Sequence, residues 1–514
     1  MSELLVYKAS AGSGKTFTLA VEYIKLLILN PRAYRQILAV TFTNKATAEM
    51  KERILSQLYG IQIGDKDSEA YLNRIKEETG KTEQEIREAA GVALSYMLHD
   101  YSRFRVETID SFFQSVMRNL ARELELSPNL NIELNNTEVL SDAVDSMIEK
   151  LGPTSPVLAW LLDYINERIA DDKRWNVSDE VKSFGRNIFD EDYIEKGEGL
   201  RQRLRNPDTI KEYRKQLKAL ETEILEQMKG FYDQFEGELD GHALTADDLK
   251  NGSRGIGSYF RKLNNGILGN DIRNATVEKC LEDAKNWATK TSPRYADIIN
   301  LANSSLMQIL EDAEKFRSKN NLLLNSCRLS LQHLNKVQLL ANIDEEVRQL
   351  NHDNNRFLLS DTNALLHQLV KDGDSSFVFE KIGTNIHNVM IDEFQDTSRM
   401  QWGNFKLLLL EGLSQGADSL IVGDVKQSIY RWRNGDWGIL NSLNDHIEHF
   451  PIRVKTLATN RRSETNVIRF NNQIFTAAAN YLNGVYKQQL GKDCEDLQKA
   501  YADVVQESPR STEK

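Results

Sequence analysis

Short apolar runs alternate with amphipathic stretches at both ends of the chain. Leu4–Tyr7, Ile37–Phe42 and Phe104–Ile109 suit strands rather than helices. Each is followed by a segment with apolar residues at three- and four-residue steps, near Thr16–Leu29, Lys45–Leu58 and Ser111–Leu120. The alternation resumes near 377. Strands are predicted over Val389–Ile391 and Leu420–Val422, with a helix over about Met400–Leu413 between them. A further strand is predicted over Arg453–Leu457, then a helix from Glu464 to about Tyr481. Strands that are apolar throughout and separated by helices predict a parallel sheet covered on both faces. The expected fold class is α/β.

Between about 120 and 350 the strand-like runs vanish and charged helical patterns take over. Leu217, Leu220, Ile224, Met228, Phe231 and Phe235 form one apolar stripe; Leu334, Val337, Leu340, Ile343, Val347 and Leu350 form another. Gly252–Gly257 reads as a loop by composition. The region is expected to be a helical insertion whose stripes are mostly core. The polar residues Glu507–Lys514 are expected to fray.

Composition narrows the class. At 514 residues, roughly three domains are expected. With 27% charged and 40% apolar residues, the chain suits a soluble, folded protein. No 18-residue apolar run predicts a membrane span, and the first strand begins too early for a secretory signal. Cys280, Cys327 and Cys494 are far apart, without metal spacing or an even disulfide set, which favours the reducing cytoplasm. The net charge of −11 does not mark a nucleic-acid binder, but a local groove with stacking residues needs no positive field over the whole molecule.

Four stretches carry candidate chemistry. Ala9, Ser10, Ala11, Gly12, Ser13, Gly14, Lys15 and Thr16 join the first strand to the first helix. Small residues let backbone N–H groups converge on phosphate oxygens, Lys15 reaches the outer phosphates, and Thr16 can ligate Mg²⁺. A bare strand-to-helix turn is the plainer alternative. Asp392 and Glu393 end the strand before Phe394-Gln395-Asp396. Asp392 can hold Mg²⁺, and Glu393 can position or activate a water. Gly423–Arg433 ends another strand; Gln427 is placed to sense a γ-phosphate, and Tyr430 and Trp432 suit base stacking among basic residues. Packing of both rings in the core is the alternative. Phe42, Thr43 and Asn44 end the second strand, where aromatic, hydroxyl and amide groups can hold a sugar-phosphate backbone, or Thr43 or Asn44 can cap a helix.

The ordered stretches ASAGSGKTFTLA, ILAVTFTNKATAEMKERI, ETIDSFFQ, VMIDEFQDTSRMQW, IVGDVKQSIYRWRNGD and TNRRSE resemble the motifs of superfamily 1 helicases of the UvrD/Rep group. The likeness is greatest to the RecB- and AddA-like branch, where a long gap between the third and fourth motifs holds an enlarged helical 1B subdomain. Arg356–Leu366 is similar to the segment preceding the acidic motif there. The resemblance implies a RecA-like domain 1A over 1–118 and 352–450, a 1B insertion over 119–351, and the beginning of a 2A lobe over 451–514.

It also implies roles. Lys15, Thr16 and Asp392 would bind ATP and Mg²⁺, and Glu393 would be the catalytic carboxylate. Gln427 would couple the γ-phosphate to DNA, and Arg462 would reach that phosphate from the second lobe. Phe42, Tyr430 and Trp432 would touch bases, with Arg433 beside them. Thr43, Asn44, Thr108 and Ser111 would lie near the DNA backbone. The implied activity is ATP-dependent 3′→5′ movement on single-stranded or duplex-end DNA in recombination or double-strand-break repair. The implied protein partner is a second helicase–nuclease subunit.

Three features depart from the family. Arg461 stands where relatives carry an adenine-stacking aromatic; a guanidinium can also stack. No adenine-reading glutamine segment precedes the phosphate loop. Later motifs, including a second arginine finger, are not among these 514 residues, nor is a nuclease signature. The chain by itself is therefore expected to bind nucleotide and DNA but to hydrolyse ATP poorly. The alternatives are an ATP- and DNA-binding module without turnover, or a nucleotide-switch or kinase-like phosphate-loop protein.

Overall fold

Alternate residues of the first predicted strand belong to two different cores. In β1 (Leu4–Ala9), Leu4 and Val6 pack on one face of a sheet while Leu5 and Tyr7 pack on the other. The computed structural model describes residues 2–120, 131–133, 135–153, 177–358 and 386–509, together with 155, 157–158, 161–162, 165–166, 169 and 361. Its strands are β1, β2 (Ile37–Thr41), β3 (Val106–Thr108), β4 (Asn131–Glu133), β5 (Arg356–Leu358), β6 (Asn388–Ile391), β7 (Ser419–Gly423) and β8 (Ile452–Leu457). Six of them form one parallel sheet in the order β3-β2-β6-β7-β1-β8. Because all six run the same way, the residues ending β1, β2, β6 and β7 reach one edge, where ligands bind in open α/β sheets.

Helices α1 (Lys15–Leu29), α2 (Asn44–Ile63), α3 (Glu69–Thr79) and α4 (Glu83–His99) bury apolar residues against one face of the sheet. Helix α5 (Ile109–Leu120) and the helix Arg399–Ser414 cover the other, with Phe113 and Phe405 rings 4.7 Å apart. This is an α/β RecA-like sheet with helical insertions.

The described chain divides into two compact units. The first takes Met1–Asn136, Phe189–Glu195 and Leu350–Lys514; the second takes Thr137–Ile188 and Lys196–Gln349. Within the first, Glu191 accepts the Met400 N–H at 3.2 Å, which caps the start of the helix Arg399–Ser414. Both predicted stripes lie on long helices, Pro207–Gly241 in the second unit and Met307–Asp353, which belongs to the second unit up to Gln349. Ile224, Met228 and Phe235 are buried there, and Phe235 stacks on Phe260 at 4.1 Å.

The structure departs from the expected elements in several places. Asn131–Glu133 is a strand, paired in parallel with β5, inside the stretch where no strand was expected. At three residues it is too short to leave a periodic signature. The third strand is only Val106–Thr108, because Ile109 already opens α5. Residues 452–457, expected to open a second lobe, supply the sixth strand of the first sheet, paired with β1. The helix after it runs over Thr465–Leu490, past the expected end near Tyr481. The resumption of alternation near 377, most of the Leu359–Leu366 segment and the last residues of the polar tail lie outside the described residues. Among the described residues no helix is long and apolar enough to cross a membrane.

Candidate nucleotide and nucleic-acid site

β1 ends at Ala9 and α1 starts at Lys15, so Ser10–Gly14 must reverse direction over a short span. Gly12 and Gly14 do this with φ of 78° and 90°, a left-handed backbone that strains any residue with a β-carbon. Ser13 donates to the Ser10 carbonyl through both its N–H (3.1 Å) and its hydroxyl (2.7 Å), which fixes the turn. No side chain caps the first turn of α1. Its N–H groups therefore remain available at the positive end of the helix dipole. Thr16 stands in that same turn.

A closed ring of hydrogen bonds surrounds the lysine. Lys15 Nζ donates to Glu393 Oε2 (2.7 Å) and to Gln427 Oε1 (3.1 Å). Gln427 Nε2 donates to Asp424 Oδ2 (2.7 Å). The Asp424 N–H donates to Gln395 Oε1 (2.9 Å), and Gln395 Nε2 returns to Glu393 Oε2 (2.8 Å). Glu393 is held at φ 50°, a left-handed conformation that costs a non-glycine residue ~1–3 kcal/mol. Asp392 is buried, and its Oδ1 accepts the Glu393 N–H at 2.9 Å. Burial first, then the neighbouring Glu393 charge, pushes the Asp392 carboxyl up to about 6, against the pull of Lys15.

Arg461 and Arg462 lie beside the phosphate loop, with exposed side chains. The Arg461 N–H donates to the Gly12 carbonyl (2.9 Å). A β-carbon on Gly12 would stand 3.0 Å from the Arg462 Cβ and 2.6 Å from Asn460 Oδ1. Gln506 Nε2 donates to the Ala11 carbonyl (3.0 Å).

The aromatic residues singled out in the sequence converge further along the same sheet edge. Phe42 and Tyr430 ring centroids are 4.5 Å apart, and Tyr430 and Trp432 are 6.0 Å apart. The Arg433 guanidinium lies 5.2 Å from the Trp432 centroid and 5.8 Å from that of Phe42. Trp432 is 73% exposed, so this ring does not pack in the core; Phe42 and Tyr430 are half-buried. Thr43 caps α2 through Ala46 (3.1 Å), and Asn44 is exposed beside it. Thr108 accepts the Ser111 N–H (3.2 Å) and donates to the Ser111 hydroxyl (2.8 Å), which caps α5. Burial raises the neighbouring Asp110, and the charge of Arg433 opposes the shift.

The profile of the UvrD/REP helicase N-terminal domain matches residues 1–448. The chain belongs to that family. Its relatives include an ATP-dependent helicase/nuclease subunit of Streptococcus pneumoniae, 25% identical over 504 residues, covering 92% of this chain and 38% of that protein. The exonuclease/helicase subunit RexA of the same organism matches with the same identity and coverage. The RecBCD enzyme subunit RecB of Borreliella burgdorferi is 24% identical over 511 residues, covering 96% of this chain and 38% of that protein. The chain thus spans about two-fifths of the length of these relatives.

Within this UvrD/REP-family site, Gln395 and Asp424 close the ring, yet sequence reasoning assigned them no role. Both stand in stretches already singled out, beside Glu393 and Gln427. Their signal was a polar residue among the buried residues of a strand end, visible only once burial is known: Gln395 is 1% and Asp424 2% exposed. Lys426 was likewise missed; it pairs with Asp424 (3.2 Å) and Asp503 (2.7 Å).

Proposed function

We propose that this chain is the front part of an ATP-dependent DNA helicase or translocase. The observation that carries the reading is that one continuous stretch, Gly423–Arg433, supplies both Gln427 at Lys15 and Tyr430 and Trp432 at the aromatic cluster. ATP binding and base stacking then occur on the same sheet edge.

In this reading the N–H groups of Ser10–Gly14 and the first turn of α1 cradle the phosphates. Lys15 turns from Glu393 to the outer phosphates, because a single ammonium cannot hold the carboxylate and the arriving charge equally well. Glu393, released, orients the attacking water and accepts its proton. Gln427 changes partner in the same event. The Thr16 hydroxyl and the Asp392 carboxylate form a hard oxygen donor set, and they would hold Mg²⁺, which neutralises phosphate charge when bound. Arg461 and Arg462 supply positive charge beside the loop.

Phe42, Tyr430, Trp432 and Arg433 hold single-stranded DNA by stacking and charge, while Thr43, Asn44, Thr108 and Ser111 line its backbone. The helical unit serves as the 1B insertion, and the residues after β8 lead into the 2A lobe. Movement 3′→5′, a role in recombination or break repair in the cytoplasm, and action with a second helicase–nuclease subunit complete the proposal. Relatives named as helicase/nuclease and RecBCD subunits support it.

The test is fluorescence anisotropy with labelled single-stranded DNA at low salt. Saturable binding weakened by Trp432→Ala is expected. Absence of binding would overturn the DNA reading and favour a nucleotide switch.

A further inference from the structure

Gln427, which reaches Glu393 through Lys15, is not the only link between that carboxylate and the aromatic cluster. The turn that follows Glu393 lies directly against the loop that carries Tyr430. Gln395 is buried with its side chain fully engaged: Nε2 on Glu393 (2.8 Å) and Asp396 Oδ2 (3.4 Å), Oε1 on the Asp424 N–H (2.9 Å). Its carbonyl accepts the Ser428 hydroxyl (3.3 Å). Asp396 is also buried, and the backbone N–H groups of Ile429 and Tyr430 favour its charged form against burial and the Glu393 charge. The strap continues beyond them. Gly435 N–H donates to the Tyr430 carbonyl (3.2 Å), Asp436 N–H donates to the Thr397 carbonyl (3.0 Å), and Ser398 bridges to Gly435.

These contacts leave little slack. A β-carbon on Gly435 would stand 3.0 Å from the Asp396 carbonyl and 3.2 Å from that of Tyr430. A β-carbon on Gly423 would stand 3.0 Å from Gln395 Oε1. A shift of the Glu393 carboxylate therefore pulls on an amide whose donor and acceptor are both engaged; that amide is tied to the Asp424 end of the 424–430 loop, and the carbonyl of the same residue to Ser428. Tyr430 in turn lies against Phe42.

We propose that Gln395 and Asp396 are positioning residues that transmit the state of Glu393 to the Tyr430–Phe42 stack, in parallel with Gln427. Nucleotide binding then changes DNA affinity through this strap. The inference rests on the nucleotide and DNA reading above. When Lys15 leaves Glu393 for a phosphate, Gln395 is the partner left to the carboxylate. The new position of the carboxylate is passed through the Gln395 amide and the Asp396 carboxylate to the backbone of Ile429 and Tyr430.

The test is the linkage between the two ligands. The affinity of the chain for fluorescein-labelled oligothymidylate is measured by anisotropy, without nucleotide and at saturating Mg²⁺·AMP-PNP. Coupling between two sites typically changes affinity about 5- to 150-fold, so a change of at least about fivefold is expected for the wild type. In Gln395→Met, which keeps the volume and removes the amide, the ratio should fall below about twofold. A merely structural role would lower the melting temperature without touching this ratio.

A folded Gln395→Met variant with the wild-type ratio overturns the proposal, and so does a wild type that binds both ligands with no linkage. If Gln395→Met fails to fold, Asp396→Asn carries the same test, because the amide keeps the shape and loses the charge that faces the two N–H groups. A wild type that binds neither AMP-PNP nor oligothymidylate defeats the functional reading itself, and this inference with it; separate titrations of each ligand distinguish that failure from a loss of linkage.

Discussion

At the scale of single residues, the site concentrates buried charge. Asp392 carries a carboxyl pushed up to about 6 by burial and by Glu393, so above that pH the fold holds a charge it disfavours. A raised carboxyl pKa means the folded state binds the proton more tightly than the unfolded one. Stability from this group is therefore highest below the ordinary carboxylate range and is lost as pH rises through 6. Asp392→Asn is expected to stabilise the ligand-free protein at pH 8, by at most about 3 kcal/mol, and by clearly less at pH 5. Thermal melts at the two pH values check this, and an equal effect at both would contradict it.

The exposed Trp432 has the opposite character. Its ring contributes little to the core, and each stacked base is worth ~1–3 kcal/mol. Trp432→Ala should weaken single-stranded DNA binding by about 5- to 150-fold and leave the melting temperature unchanged. Anisotropy and a melt on the same preparation decide it.

At the scale of elements, legibility followed burial. β1, β6 and β7 are buried on both faces and appear in the sequence as unbroken apolar runs between turn signals. The turn Ser10–Gly14 was legible because small residues and a lysine stand at particular spacings between a strand and a helix, and the convergence of Phe42, Tyr430 and Trp432 was legible because each ends or follows a strand of the same sheet. Gln395 and Asp424 were not, since a buried amide looks like any other amide until its partners are known. β4 was missed for its brevity; β8 was expected in a separate lobe because the family resemblance implies a 2A lobe from 451, and its half-exposed pattern gives no sign of which sheet it joins.

The packing of the phosphate loop against Asn460–Arg462 makes its own prediction. Gly12→Ala would force a β-carbon to within 2.6 Å of Asn460 Oδ1 at a φ that disfavours it. Nucleotide affinity should drop sharply in isothermal titration, while circular dichroism of the chain stays native. Unchanged affinity would mean that the loop is not held as described.

At the scale of the molecule, the chain is acidic overall, yet a cationic residue lies beside its exposed aromatic cluster. DNA binding should therefore draw on stacking as well as on counterion release. Each phosphate contact on a single strand contributes about −0.7 to the slope of log affinity against log salt, so Arg433→Ala should flatten that slope by about 0.7. A slope that does not move would place Arg433 off the phosphate path.

The central claim is that Lys15 exchanges Glu393 for a nucleotide phosphate. Equilibrium titration with Mg²⁺·AMP-PNP tests it most directly. The account predicts saturable binding in the wild type, loss of it in Lys15→Ala, and binding retained or tightened in Glu393→Gln, where the competing carboxylate charge is removed. Equal affinity in the wild type and Lys15→Ala would contradict it.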